Sequence, residues 1–358
     1  MIAIVQPFIP DYREEFFMGL KSELQVEIFT FEKGSRVKSR GFRQSTIKTK
    51  HLSYFTIGQV FIYNFFPLLS RRFDKLVLMG SVKHLSTWII LLFNLVLKRD
   101  IILWGHGISI KKYHEESIKQ PWLRRLFYKM ANHAWFYTSK ELEIWNKEKF
   151  GLKGIGLNNT ISQVDKIIKL DLPNSEVKKS LKLKHNIKTP INLIICVRFS
   201  NPNRKAELLL DLIDILDGYQ YGLIIIGDGP LKPNFEGIKN VYDYNAIYDF
   251  STKQELFSIA DFYIQPAWTG LSIVEALAHG LPVCTLERSK NIHQCVEFGY
   301  LEDGLNAIIA KNIEELANKI VEIDSVRYLK MRKNAKSYAK NNLSMNGMIQ
   351  KALLTLKE

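Results

Sequence analysis

Ala260-Asp261-Phe262-Tyr263-Ile264-Gln265-Pro266-Ala267-Trp268-Thr269-Gly270-Leu271-Ser272-Ile273-Val274-Glu275-Ala276-Leu277-Ala278-His279-Gly280-Leu281-Pro282-Val283 is the stretch on which the fold turns. An apolar strand runs to Pro266, a loop through Gly270 opens a helix, Gly280 closes that helix, and a second apolar strand begins at Pro282. Strand, loop, helix and strand within 24 residues is the unit of a parallel α/β sheet. Free backbone N–H groups at the helix start, around Gly270, Leu271 and Ser272, suit a phosphate. Glu275 lies about one turn inside, where an ionised carboxylate can accept both hydroxyls of a ribose. Its neighbours Val274 and Ala276 are apolar, which argues against an ordinary surface glutamate.

The same alternation extends outward. In the second half the expected strands are Ile191–Val197, Leu223–Ile226, Asn240–Tyr242, Phe262–Gln265 and Pro282–Leu286. The expected helices are Lys205–Leu216, Lys253–Ile259, Ile273–His279 and Ile313–Ile323, followed by a long, polar, helical stretch over Val326–Leu356. The first half repeats the rhythm with strands Ile2–Val5, Val26–Phe29, Leu76–Met79, Ile101–Trp104 and Ala134–Tyr137. Its helices are expected at Arg13–Lys21, Leu85–Leu97, Pro121–Ala131 and Lys140–Phe150. Residues 162–190, lysine-rich and containing Pro173 and Pro190, read as the connection between two domains, with room for a short helix. Two doubly wound sheets follow, each with a crevice beyond the carboxyl ends of its strands.

Composition and charge narrow the class. A hydrophobic fraction of 46% with 24% charged residues is that of a globular protein, not a disordered or fibrous one. Pro7 and Pro10 interrupt the first apolar stretch, which has no basic region before it and so reads as a strand rather than a secretory signal. Trp88–Leu97 is the most apolar later stretch, but a bilayer span needs about 20 residues, and a buried domain helix is the expectation. Three cysteines without a CxxC spacing suggest neither a disulfide framework nor a zinc site, and fit a reducing, cytoplasmic compartment. Cys196 and Cys284 fall in apolar runs that read as buried strands, Cys295 in a polar loop.

The formal charge of +14 is unevenly shared: residues 1–170 hold 27 Lys and Arg against 14 Asp and Glu, whereas residues 171–358 hold 23 against 22. A basic first half attracts anionic lipid headgroups or nucleic acid. The densest run, Lys33 to Lys50, has Phe42 as its one aromatic residue, which leaves no platform for stacked bases, so no nucleic-acid partner is expected. Aromatics gather just after it instead, at Tyr54-Phe55, Phe61, Tyr63 and Phe65-Phe66, before Arg71-Arg72. They suit either a core beneath a loop or a peripheral contact with an anionic membrane.

Two further constellations carry chemistry. Val197-Arg198-Phe199-Ser200-Asn201-Pro202-Asn203-Arg204-Lys205 sets basic residues between a strand end and an expected helix start, an arrangement suited to a diphosphate. Leu223-Ile224-Ile225-Ile226-Gly227-Asp228-Gly229-Pro230 ends a buried strand in a tight turn, where glycines at 227 and 229 permit close backbone approach. Lys232, at the position of a third glycine, excludes the dinucleotide fingerprint.

Taken in this order and spacing, the three segments resemble glycosyltransferase family 4, a family of retaining enzymes with the GT-B fold of two Rossmann-like domains facing a central cleft. The resemblance implies an N-terminal acceptor domain over 1–165, a nucleotide-sugar domain over 166–339, and a helix over 340–358 that returns to the first. It implies that Arg198 and Lys205 neutralise the donor diphosphate, that Glu275 is the second Glu of an E-x7-E signature, and that Gly227, Asp228, Gly229, Gly270, Leu271 and Ser272 line the donor. Val241 to Asp249 resembles the base-binding loop, with Ala246 and Ile247 at the base and Asn245 where Gly is usual. The first signature Glu falls on Ala267, and Pro266-x-x-x-Gly270-Leu271-Ser272 resembles a variant subgroup with that substitution.

In the first half, Pro10-Asp11-Tyr12-Arg13 and Trp104-Gly105-His106-Gly107 resemble acceptor-side loops of the same subgroup. Tyr12, Arg13, Gly105 and Gly107 are thereby acceptor-side candidates, and His106 a catalytic one, its flanking glycines giving it freedom to face the cleft. Tyr137-Thr138 and Asn158-Asn159-Thr160-Ile161 resemble two further landmarks of the family. No Asp-x-Asp triplet occurs, so cationic side chains are expected to do the work of a metal, and no cofactor or metal is expected. The expected reaction is transfer from a nucleotide-sugar, UDP by default, to a cell-surface polysaccharide or lipid-linked glycan by a cytoplasmic protein at the inner face of the membrane. Alternatives are another two-Rossmann sugar-nucleotide enzyme such as a 2-epimerase, and a basic membrane-binding module without catalysis.

Overall fold

The protein is described from a computed structural model covering residues 1–32, 45–147, 150–216 and 220–358. The basic run from Lys33 is therefore described only from residue 45 onward, and the far end of the helix expected over Lys140–Phe150 includes residues 148 and 149, which lie outside the described residues. The chain forms two units: Met1–Gln163 with Met345–Glu358, and Val164–Ser344.

Unit 1 contains β1 (Ile2–Gln6), β2 (Val26–Thr30), β3 (Lys50–His51), β4 (Tyr54–Ile57), β5 (Val60–Tyr63), β6 (Lys75–Met79), β7 (Asp100–Gly105), β8 (His133–Phe136) and β9 (Gly154–Gly156). Seven of these make one parallel sheet in the order β3-β2-β1-β6-β7-β8-β9, and β4 with β5 forms a separate antiparallel hairpin. β1, β7 and β8 are almost wholly buried, as their continuous apolar runs require in a sheet covered on both faces. The sequence did not disclose β3 or β9, which are two and three residues long, nor the hairpin.

Unit 2 contains β10 (Ile191–Cys196), β11 (Tyr221–Ile226), β12 (Val241–Asp243), β13 (Phe262–Ile264), β14 (Val283–Leu286) and β15 (Ala307–Ala310), all parallel, in the order β12-β11-β10-β13-β14-β15. Strand order reverses between β10 and β13, and between β1 and β6 in unit 1. These switch points are where an open parallel sheet leaves a crevice past its carboxyl edge.

Several expectations are corrected. The helix expected from Lys205 begins at Leu208, because Pro202–Arg204 form a 3-10 turn and Lys205 takes a left-handed conformation, φ 53°, that no α-helix accommodates. Residues 162–190 hold two helices, Val164–Lys169 and Ser175–Lys184, the second capped by the Asn174 side chain. The final helical stretch is two helices, Ser325–Asn342 in unit 2 and Met345–Lys357 in unit 1.

The apolar helix Leu85–Leu97 is buried on one face only. Ile90 and Leu91 enter the core, while Leu92, Phe93, Leu95 and Val96 are exposed, Val96 to 82%. A helix laid against a sheet buries one stripe, and here the outer stripe is apolar as well. No described helix is long and apolar enough to cross a membrane. Cys284 is buried as expected, Cys196 and Cys295 are half-buried, and all three are free thiols.

Candidate active site

The carboxyl edge of β10 and β13 brings together groups that lie far apart in the sequence. Glu275, in the seven-residue helix Ser272–Ala278, is 6% exposed, and its Oε2 is 2.6 Å from the Nζ of Lys253 on the helix Phe250–Ile259. Burial alone would lower the Lys253 pKa, but the Glu275 charge outweighs it and raises the pKa above the usual lysine value. The Lys253 charge lowers the pKa of the Cys196 thiol, at the end of β10, but burial outweighs it and pushes the thiol up to about 11.

The helix is aimed by a buried amide. Gln265, just past β13, donates from Nε2 to the carbonyls of Ala267 at 3.2 Å and Trp268 at 2.7 Å. Its Oε1 accepts from the Ser272 hydroxyl at 2.7 Å and the Tyr263 hydroxyl at 3.1 Å. Gln294 does the same from below, accepting from Thr269 N and Oγ1 and donating to Leu286 O at 2.7 Å. Buried polar groups must be paired, and pairing all of them fixes the loop in one shape. Ala267 is fully buried in that loop, Gly270 and Leu271 are half-buried, and the Ser272 hydroxyl serves the loop itself.

The cationic groups follow β10. Arg198 is exposed and Lys205 half-buried, with Lys205 Nζ 3.8 Å from Glu207. Arg204, set by the 3-10 turn, is half-buried beside Tyr263, Cys295, Arg198 and Cys196. Burial lowers its pKa, and the positive charge of Arg198 adds to that.

The Gly227-Asp228-Gly229 turn uses its missing side chains on the chain itself. A Cβ on Gly227 would lie 1.8 Å from the Val197 carbonyl oxygen, and one on Gly229 2.4 Å from that of Phe199. Both glycines have φ near +145°, outside what side chains tolerate. Phe199 N donates to Asp228 O at 3.0 Å, so the turn locks the segment leading to the cations. Asp228 is exposed, its Oδ1 accepting from Gly229 N. Of the base-loop candidates, Ala246 is exposed and Ile247 half-buried. Asn245 takes the left-handed conformation that its usual Gly would, and its carbonyl accepts from Gly227 N at 2.7 Å.

Unit 1 assembles a second cluster past β1, β7 and β8. Arg13 is buried, bonds Gln6 Oε1 at 3.1 Å, and stacks its guanidinium over Trp104 at 4.8 Å, Tyr137 at 5.1 Å and Tyr12 at 5.7 Å. His106 packs edge-on against Tyr137 with centroids 4.3 Å apart. Burial, and then the Arg13 charge, push its pKa down to about 4, so it is neutral at neutral pH. Its Nδ1 is buried without a hydrogen-bond partner among the described residues. The flanking glycines do not free it: a Cβ on Gly105 would lie 2.7 Å from Gly80 O, and one on Gly107, φ +63°, 2.2 Å from the Phe136 ring. The loop is tightly packed, and its histidine is held rather than loose.

Sequence reasoning missed two groups. Lys253 sits in a helix of ordinary composition, and only its ion pair with Glu275 marks it. Arg204 stood in the quoted motif, but its half-burial beside Tyr263 and Cys295 comes from the fold and not from its neighbours in sequence. Among the described residues no group of three or more His, Cys, Asp or Glu side chains could hold a metal ion.

Residues 190–324, which include the cluster past β10 and β13 but not the one in unit 1, match the family model described as glycosyl transferases group 1. The chain is a glycosyltransferase. Its fold is GT-B, two Rossmann-like domains, shared with solved structures of low sequence identity. Anabaena HepE, solved in complex with UDP, is 15% identical with a TM-score of 0.67, the match covering 99% of both chains. The lipopolysaccharide outer core galactosyltransferase WaaB is 14% identical with a TM-score of 0.62, again over 99% of both. The UDP-GlcNAc 2-epimerase of Methanocaldococcus jannaschii is 15% identical with a TM-score of 0.59, over 100% of this chain and 99% of that one. No curated protein matches the sequence.

Proposed function

We propose that this glycosyltransferase moves a sugar, with retention of configuration and without a metal, from a UDP-sugar to a cell-surface polysaccharide or lipid-linked glycan. The observation that carries this reading is the buried, ion-paired Glu275 at the strand edge that also bears Arg198, Arg204 and Lys205. A carboxylate for ribose hydroxyls beside three cations for a diphosphate is the chemistry a nucleoside diphosphate asks for. In this reading the cations stabilise the charge that develops on the leaving diphosphate, as the acceptor hydroxyl attacks from the same face and loses its proton. Neutral His106, with Arg13, Tyr12, Gly105 and Gly107, forms the acceptor side. HepE's bound UDP supports the choice of base, and WaaB's outer-core acceptor the choice of acceptor class.

The membrane part of the reading has its support in unit 1. Phe31 stacks on Tyr63 and packs against Tyr54 and Phe61, so those rings serve the core. Phe55 and Phe66 are exposed, and Phe66 stacks on Phe65, whose ring lies 6.4 Å from Phe93 on the half-exposed helix Leu85–Leu97. An apolar strip beside Arg71 and Arg72 suits an anionic bilayer surface. Lys50 and Arg72 both pair with Glu27, which reduces the charge they offer.

The experiment is a screen of nucleotide-sugars for thermal stabilisation, since a ligand that binds the native state raises stability with the logarithm of its concentration over Kd. The best donor is then incubated with and without glycan acceptors. Product that forms only with acceptor supports transfer. Inversion of the donor sugar at C2 without acceptor supports the epimerase reading, which the fold of the Methanocaldococcus jannaschii enzyme favours. Activity abolished by EDTA and restored by manganese overturns metal independence.

A further inference from the structure

The ion pair beneath the proposed ribose site is more constrained than a ribose acceptor alone requires. Lys253 and Glu275 side chains are 24% and 8% exposed, with Nζ 2.6 Å from Oε2. The ammonium also lies 5.9 Å over the Phe257 ring, and its charge acts on the Cys196 thiol. Asp249 caps the helix that carries it, accepting from Thr252 N at 2.7 Å and Thr252 Oγ1 at 2.8 Å. A lysine so held cannot swing to another partner without breaking several contacts at once.

We propose that Lys253 is a positioning residue for nucleotide binding: it occupies Oε2 of Glu275, keeps the carboxylate ionised inside the protein, and leaves Oε1 for the ribose hydroxyls. The proposal rests on the reading of Glu275 as the ribose acceptor. A carboxylate this buried loses hydration in its charged form, and without a counter-charge it takes up a proton and ceases to accept two hydroxyls.

The surroundings make the effect readable. The titratable neighbours are Cys196 on β10, Tyr263 on β13, Arg204 after β10, and His279 at the end of the Glu275 helix. Lys336 and Arg332, from the helix Ser325–Asn342, act on His279. Burial pushes the thiol up to about 11 and the Tyr263 phenol higher still, and holds His279 down to about 3. None of these three changes charge between pH 5.5 and pH 7.5.

The test is calorimetric titration of UDP and of 2′,3′-dideoxy-UDP into wild type, Lys253→Met, Lys253→Arg and Glu275→Gln at pH 5.5, 6.5 and 7.5. Taking the ratio of variant to wild-type Kd cancels the nucleotide's own protonation. For Lys253→Met the ratio for UDP should grow several-fold as pH falls from 7.5 to 5.5. The dideoxy ratio should stay flat, and Lys253→Arg should stay near wild type throughout. If Lys253→Met does not fold, Lys253→Gln, polar but uncharged, gives the same reading. A ratio independent of pH overturns the proposal and makes Lys253 a packing residue. Glu275→Gln separates the two ideas: equal loss for UDP and its dideoxy analogue overturns the ribose reading itself, as does wild type that binds neither nucleotide.

Discussion

At the scale of single residues, the site depends on positions that tolerate no substitution for two different reasons. Arg198→Ala and Lys205→Ala should each weaken nucleoside-diphosphate binding, and each should leave the melting temperature within a degree or two, because exposed or half-exposed side chains away from a core rarely change stability by more than about 0.5 kcal/mol. Unchanged kinetics in a folded double variant would remove both from the diphosphate site. Gly227→Ala should act in the opposite way. Its Cβ would meet a backbone oxygen at 1.8 Å with φ at +145°, so destabilisation above about 2 kcal/mol is expected, read as a lowered denaturant midpoint. Glu275 was legible in the sequence because a charge among Val274, Ala276 and Leu277 needs a purpose. Lys253 was not, since nothing near it in the chain announces a partner 22 positions away; the pair exists only through the packing of two helices on one sheet.

At the scale of elements, the apolar continuity of β1, β7, β10, β11 and β14 announced the parallel sheets, while short strands such as β3 and β9 carried too few residues for any period to show. Leu85–Leu97 taught the opposite lesson: its composition read as buried throughout, yet one stripe faces out. If that stripe meets lipid, Leu92→Ser with Val96→Ser should cut co-sedimentation with anionic vesicles several-fold at every salt concentration. Replacing Lys48, Lys50, Arg71 and Arg72 with Ser should cut it mainly at low salt, where charge attraction is unscreened. Wild-type protein that ignores anionic vesicles at low salt would leave the strip needing another occupant. Within the site, Asp249→Ala removes the cap of the helix carrying Lys253 and should lower the midpoint of thermal or chemical unfolding.

At the scale of the whole molecule, two buried histidines, His84 and His279, and the half-buried His106 make stability depend on pH. Burial lowers the pKa of His84 to about 4, His106 to about 4 and His279 to about 3, each below the ordinary value of 6.5. The unfolded chain therefore binds more protons than the folded one, so the stability conferred by their neutral forms is complete above pH 6.5 and is lost as pH falls toward 4. Each contributes at most about 1.4 kcal/mol per pH unit over that range. Denaturant titrations from pH 7 to 4.5 should show the decline, and His84→Phe, which keeps a ring against Phe61, should make it shallower. A slope unchanged by that substitution would mean His84 is not among its causes.

The helix Met345–Lys357 gives the chain an unusual dependence on timing. Trp135 donates to Thr355 Oγ1 at 2.7 Å, Lys357 pairs with Glu23, and Lys75 reaches the Thr355 carbonyl, so a helix made after unit 2 closes a unit begun before it. On a ribosome that emits about 5–20 residues per second, the 181 residues from Val164 to Ser344 keep unit 1 waiting for its final piece for about 10–35 seconds. During that interval the far more local unit 2 can finish first, and the indole and helix surface that Met345–Lys357 will cover stay open to chaperones. A chain arrested before residue 345 should therefore bind a hydrophobic dye or a holdase that the finished protein does not.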